Sequence, residues 1–175
     1  MANFMLFGGR GCGKDTLTEM LVNRIEGAEQ LRLASFVVDA CKAFGIDNPT
    51  RTQLTLVGQD IGRKYFGDDV WIKQAVKRVN ENPNTTFIIS DIRYQNEYDT
   101  FLELGFIPVL IDCEEDERIA RVIKRDGSID LNLLKHNTET TWKTFEWEVL
   151  IDNNGGINEL EAQAGLLIKR YTEEE

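Results

Sequence analysis

The run Phe4-Met5-Leu6-Phe7 passes directly into Gly8-Gly9-Arg10-Gly11-Cys12-Gly13-Lys14-Asp15-Thr16, and apolar residues then recur at 17, 20, 21 and 25. Four consecutive apolar residues fit a buried strand, and the later i, i+3, i+4, i+8 spacing fits a helix with one packed side. A strand, a glycine-rich loop carrying a lysine, and a helix in that order make a phosphate cradle. Gly9, Gly11 and Gly13 let successive backbone N–H groups turn inward, Lys14 adds a full positive charge, and the helix N-terminus adds its dipole. The expected ligand is a nucleoside triphosphate. One position departs from the common pattern: Asp15 stands where a Ser or Thr usually supplies a magnesium-ligating hydroxyl, and Thr16 follows one place later. Asp15 either holds the metal, directly or through water, or serves as a first-turn acid that suits the helix dipole.

The 175 residues are enough for one domain of ordinary size and too few for two full ones, so a single domain over 1–175 is expected. A net charge of −10 argues against a protein that tracks along nucleic acid, which needs a basic face. Anionic ligands must then be held by a few local cations, and Arg10, Lys14, Arg51, Arg63, Arg93, Arg118, Arg121 and Arg125 are the candidates. Three widely spaced cysteines, Cys12, Cys41 and Cys113, form no metal-type pair, nothing at the N-terminus reads as a signal peptide, and no apolar stretch is long enough for a membrane span. A soluble protein of a reducing cytoplasm is expected. Cys12 is a small residue that fits the loop, or a thiol activated by the helix N-terminus.

Further apolar runs at Phe87–Ile89, Val109–Ile111 and Val149–Ile151, with a weaker one near Leu31–Ala34, alternate with helical patterns. This rhythm predicts a three-layer α/β fold around a five-stranded parallel sheet. Asn48-Pro49-Thr50 caps a helix running through Leu54 and Ile61, and a second begins near Trp71 after Gly67-Asp68-Asp69. These helices, within about 36–80, are an insertion suited to a phosphate-acceptor pocket, although a plain helical elaboration has the same periodicity.

The strand at Phe87–Ile89 delivers Asp91 at its carboxyl end, where ligands of open α/β sheets bind. Asp91 is a candidate to hold the magnesium shell or orient the attacking oxygen, with a helix N-cap as the alternative. Arg93 presents a planar fork to a phosphate, and Asn96 and Glu97 either bond an acceptor or occupy a first helical turn. Arg118, Arg121 and Arg125 share one stripe of the next helix, as a phosphate clamp or as a solvated face paired with Glu114, Glu115 and Glu117. The stretch about 126–141, with His136, has the character of a closing lid. Asp152-Asn153-Asn154-Gly155 is a turn suited to an adenine, and the final helix spans roughly Asn158 to Tyr171 before the acidic end Glu173-Glu174-Glu175.

In the order of these motifs, over most of its length, the chain resembles the phage and bacterial deoxynucleoside monophosphate kinases of the P-loop kinase superfamily. Gly13-Lys14-Asp15-Thr16 is similar to that family's cradle ending, and Ser35-Phe36 through Lys42 to its first acceptor-site helix. Thr50-Arg51, Leu56-Val57-Gly58, Gly62-Arg63 and Val70-Trp71-Ile72 are similar to its acceptor region, and Asp91-Ile92-Arg93 with Asn96-Glu97 to its Asp-x-Arg-x-x-Asn-Glu signature. Arg125-Asp126-Gly127 with His136 and Glu139 resembles its lid, and Asn153-Asn154-Gly155 its adenine-side turn. Two departures are His136-Asn137-Thr138-Glu139 in place of His-x-Ser-Glu, and Thr50 in place of a proline before Arg51.

The resemblance implies ATP as donor, magnesium as counter-ion and a deoxynucleoside monophosphate as acceptor, in the cytoplasm, that of the host if the chain is phage-encoded. It implies Lys14, Asp91, Arg121 and Arg125 in catalysis, and Gly9 through Thr16 with Asn154 around ATP. Lys42, Arg51, Arg63, Trp71, Arg93, Asn96, Glu97, His136 and Glu139 would face the acceptor, and Asp15, Thr16 or Asp91 the metal. Trp71 either stacks on the base or belongs to the core. Whether the chain forms a homodimer is open. The rival readings are a dephospho-coenzyme A or adenylate type of kinase, an ATPase switch without an acceptor, and a nucleotide-binding pseudo-enzyme.

Overall fold

The buried run at the N-terminus becomes a central strand. In the computed structural model, which describes residues 1–128 and 140–172, β1 (Asn3–Phe7), β2 (Glu29–Leu31), β3 (Phe87–Ile89), β4 (Phe106–Asp112) and β5 (Val149–Asp152) form a five-stranded parallel sheet in the order β2-β3-β1-β4-β5. Helices α1 (Lys14–Arg24), α5 (Gln95–Glu103), α6 (Glu115–Asp126) and α7 (Ile157–Thr172) cover its two faces. Residues alternate across a strand, so β1 feeds both layers. Phe4 and Leu6 enter a core with Leu17 and Leu21 of α1 and Leu160, Ala164 and Leu167 of α7. Phe7, on the opposite face, packs edge-on against Tyr98 of α5 and Phe145, at ring separations of 6.0 and 5.4 Å. Burial on both faces is what a continuous apolar run encodes.

The chain divides into two compact units, Met1–Gln30 with Thr85–Glu175, and Leu31–Asn84. The second consists of α2 (Leu33–Ala43), α3 (Arg51–Thr55) and α4 (Val70–Glu81), with α3 continued by a π-helical stretch, Leu56–Arg63, and a last turn, Lys64–Phe66. Thr50 starts α3 with a capping box: its side chain accepts from the Gln53 N–H, and the Gln53 side chain accepts from the Thr50 N–H at 2.8 Å. Around this unit's own core of Cys41, Val57 and Trp71 pack Phe36, Val37 and Leu54.

The weak strand expected near Leu31–Ala34 lies instead at Glu29–Leu31, and Leu33 already belongs to α2. Three residues are too few to display an alternation, and the strand is fixed by pairing, with the Glu29 N–H donating to the Thr86 carbonyl at 2.9 Å. The expected segments at His136, Glu139 and Glu173–Glu175, and most of the lid about 126–141, lie outside the described residues. Among the described residues no helix is long and apolar enough to cross a membrane.

Candidate active site

The connection leaving β1 runs to one side of the sheet and the one leaving β3 runs to the other, so a crevice opens at the carboxyl ends of these neighbours. The glycine loop occupies that point. Gly11 and Gly13 have φ of +83° and +101°, the left-handed region that glycine enters without a Cβ penalty, and Gly13 is the N-cap of α1. The Lys14 ammonium donates to the carbonyls of Gly8 at 2.7 Å and Gly9 at 3.1 Å, so it lies curled over the loop that a phosphate chain would enter. Asp15 is exposed in the first turn of α1, and Thr16 is half-buried beside it.

Parallel register pairs Phe4 with Ile88 and Met5 with Ile89, so the segment that follows β3, with Asp91 two residues beyond the strand, leaves the sheet at the same end as the glycine loop that follows β1. Asp91 is half-buried, and it is not a helix cap: α5 starts at Gln95 with Tyr94 as N-cap. The segment between Asp91 and α5 is shaped by Glu97, only 2% exposed, whose Oε2 accepts from the N–H groups of Arg93 at 2.6 Å and Tyr94 at 3.1 Å. The Glu97 carboxylate, which the resemblance assigns to the acceptor, is turned onto its own backbone, where it holds the Arg93-Tyr94 segment. Asn96 is exposed on the first turn of α5. Glu97→Ala should lower acceptor kcat/KM about tenfold or more and cost about 1–3 kcal/mol of stability, because two part-buried N–H groups lose their bonds to a charged carboxylate. Glu97→Gln, which keeps an acceptor oxygen, should recover most of both, and steady-state kinetics with urea unfolding checks this.

The arginine stripe of α6 divides into three different roles. Arg118 is largely buried, with its Nε donating to the Cys113 carbonyl at 3.1 Å and its Nη1 to the Arg10 carbonyl at 3.3 Å. Arg121 bonds Glu117 at 3.1 Å and the Gly155 carbonyl at 3.2 Å, tying α6 to the turn after β5. Arg125 forms a two-point pair with Asp126 at 2.7 and 2.9 Å, and Arg10 reaches the same carboxylate at 3.3 Å. The Arg125 hydrogen bonds foremost, aided by Arg10, hold the Asp126 carboxyl down at about 2, and the same pairing raises the Arg125 pKa.

In the turn after β5, Asn153 is buried and its amide donates to the Cys12 carbonyl at 2.8 Å. The Asn154 side chain accepts from the Glu114 N–H at 2.7 Å and donates to Asp152 at 2.7 Å, so the amide expected at the adenine braces the turn. Cys12 is 1% exposed, in keeping with a small residue that fits. Cys113 is also buried, and desolvation pushes its thiol up. Sequence reasoning named Asn153 only as part of a turn. Its signal is period-two alternation, Val149, Ile151, Asn153, which carries one inward position past the strand end.

In the helical unit, Lys42 pairs with Asp39 at 3.2 Å, Arg51 is exposed at the start of α3, and the Arg63 Nη1 donates to the Asp68 carbonyl at 2.8 Å. Trp71 belongs to the core: its indole N–H donates to the Gly58 carbonyl at 3.0 Å, and a Cβ at Gly62 would collide with its ring. Trp71→Ala should destabilise this unit by about 3–5 kcal/mol in chemical denaturation, whereas a residue that only stacks on a base would leave the midpoint unchanged.

No family model matches the chain. A protein of Acanthamoeba polyphaga mimivirus named "Putative deoxynucleotide monophosphate kinase" is 26% identical over 173 residues, covering 76% of this chain and 88% of its own. A UPF0200 protein of Thermoplasma volcanium is 24% identical over 144 residues, covering 81% and 77%. Among solved structures, the shikimate kinase of Bacteroides thetaiotaomicron superposes with a TM-score of 0.61 at 13% identity, over 97% of each chain. Strand order, loop position and superposition together give this chain the fold of the P-loop small-molecule kinases.

Proposed function

We propose that this chain transfers the γ-phosphoryl group of ATP to a deoxynucleoside monophosphate. The observation that carries the reading is that a lysine-bearing glycine loop and the half-buried Asp91 follow the carboxyl ends of two neighbouring, hydrogen-bonded strands. The name of the mimivirus relative supports the acceptor class, as does the resemblance of the Asp91-Ile92-Arg93 and Asn96-Glu97 segment.

The cradle suits a triphosphate: its left-handed glycines let amides turn inward, and Lys14 needs only to leave two carbonyls and the Cys12 sulfur to meet an anion. The donor set suits magnesium, which takes hard oxygens, keeps several waters and is bound by one or two carboxylates together with substrate phosphates. Asp15, Thr16 and Asp91 are the residues that would hold it. Bound magnesium supplies neutralisation of charge on the phosphates. Lys14 and the loop amides align the donor, Arg93 directs the acceptor phosphate, and Arg121 and Arg125 add positive charge on the α6 side. An oxygen of the acceptor phosphate forms the new bond to the γ-phosphorus, the bond to the bridging oxygen breaks, and ADP leaves, so no covalent enzyme intermediate is needed. Arg51, Arg63 and Lys42 of the helical unit are assigned to the acceptor by resemblance, and a cytoplasmic setting, where ATP and nucleotides are available, suits the reaction.

A coupled ADP-release assay with ATP and magnesium tests the reading against dAMP, dCMP, dGMP, dTMP, dUMP, their ribose counterparts, dephospho-coenzyme A and shikimate. ADP release that depends on a deoxynucleotide is the expected result. Release stimulated only by shikimate or dephospho-coenzyme A would reassign the acceptor.

A further inference from the structure

The glycine loop rests on two side-chain donors that come from outside it. Arg118, on α6, gives its Nη1 to the Arg10 carbonyl at 3.3 Å while its Nε is anchored on the Cys113 carbonyl at 3.1 Å. Asn153, after β5, gives its Nδ2 to the Cys12 carbonyl at 2.8 Å, and Asn153 itself is anchored by its N–H on the Asp112 carbonyl at 2.8 Å. Alternate loop carbonyls are thus pulled outward. In a trans peptide the N–H points opposite to the carbonyl it shares a plane with, so holding the Arg10 and Cys12 carbonyls outward turns the Gly11 and Gly13 N–H groups inward, as a phosphate requires, while the Cys12 N–H closes the loop on the Gly9 carbonyl at 3.1 Å.

The glycines record the same contact from the other side. A Cβ at position 9 would fall on the Arg118 guanidinium, and one at position 13 on the Asn153 amide nitrogen. A Cβ at position 11 would stand 2.7 Å from the Arg118 carbonyl oxygen and 2.9 Å from Val122 Cγ2. Gly9 does not need a left-handed conformation, and its bare Cα is explained by the space the guanidinium occupies.

We infer that Arg118 and Asn153 are positioning residues that preform the phosphate cradle by holding the carbonyls of Arg10 and Cys12, and that Gly9 is glycine to admit Arg118. The inference rests on the reading of the cradle as an ATP site. It separates Arg118 from Arg121 and Arg125: Arg118 acts through the loop backbone and does not touch the phosphates.

The test is calorimetric titration of ATP with magnesium into the full chain, together with KM for ATP and for the best monophosphate. Arg118→Ala and Gly9→Ala should each weaken ATP binding about tenfold, the effect of one lost charged hydrogen bond, with the acceptor KM unchanged. Alanine at position 9 can be housed only by displacing the guanidinium, so the double variant should bind no more weakly than the weaker single one. Asn153→Ala acts on a different carbonyl, and its loss should multiply with that of Arg118→Ala. Should Arg118→Ala fail to fold, Arg118→Lys, which can serve only one of the two carbonyls, gives the same reading beside Gly9→Ala.

Wild-type affinity in Arg118→Ala or Arg118→Lys, or a Gly9→Ala effect that multiplies to about a hundredfold in the double variant, would overturn the inference. A wild-type chain that binds ATP but phosphorylates no monophosphate removes the proposed function and leaves this test intact. A wild-type chain that does not bind ATP removes both.

Discussion

Lys14→Ala is expected to lower phosphoryl transfer by about 1,000-fold or more while leaving the chain folded. Lys14 is the charged group of the cradle, and its ammonium is held by the carbonyls of Gly8 and Gly9 and, at 3.7 Å, by the Cys12 sulfur, with no carboxylate among these partners. Nothing in that arrangement competes with a triphosphate for it. Removing one preorganised donor from a developing oxyanion costs about 100- to 1,000-fold, and a full positive charge facing the outer phosphates lies at the upper end of that range. The stability cost is small, because the hydrogen bonds lost are made to carbonyls at the surface of the crevice, each worth about 1 kcal/mol. Rates in the coupled assay, with circular dichroism and thermal melts of the same sample, check both halves. Near-normal turnover in a folded variant would sink the cradle assignment.

Asp91→Asn should reduce kcat about 100- to 1,000-fold with little change in ATP affinity. The substitution keeps size and shape at the carboxyl end of β3, so the sheet and the Glu97-held segment should persist. Its dependence on magnesium separates the two roles open to the carboxylate. If Asp91 helps hold the metal, the magnesium concentration for half-maximal rate rises. If it orients the attacking oxygen, that concentration stays fixed and only kcat falls. Full activity in Asp91→Asn would leave both roles without support.

Much of the architecture was legible because its signals are local and long. The Phe4–Phe7 run, the glycine loop and the period of the first helix lie within 25 residues and reinforce one another, and they became β1, the cradle and α1. The cap at Thr50 was readable for the same reason. The strand at Glu29–Leu31 was misplaced because it is defined by its neighbour and not by its own pattern.

At the candidate site, residue type marked out candidate segments, but which partner each side chain takes was hidden. Arg118, Arg121 and Arg125 are equivalent on a helical wheel. They diverge because the Arg10 carbonyl of the loop lies under one, the Gly155 carbonyl beside the second and Asp126 next to the third. Glu97 reads as an ordinary first-turn acid until the chain doubles back and buries it against the N–H groups of Arg93 and Tyr94. Trp71 was open between base and core, and the pair Gly58 and Gly62 makes a slot whose carbonyl and bare Cα settle it in the core.

The most direct measurement follows the phosphate itself. ATP labelled at the γ-position is incubated with the chain, magnesium and a mixture of deoxynucleoside monophosphates, and the labelled products are separated. Label recovered in a deoxynucleoside diphosphate, and lost from it in Lys14→Ala, is the predicted result. Label appearing only as inorganic phosphate, at the same rate with and without the monophosphates, would contradict the account and identify the chain as an ATPase.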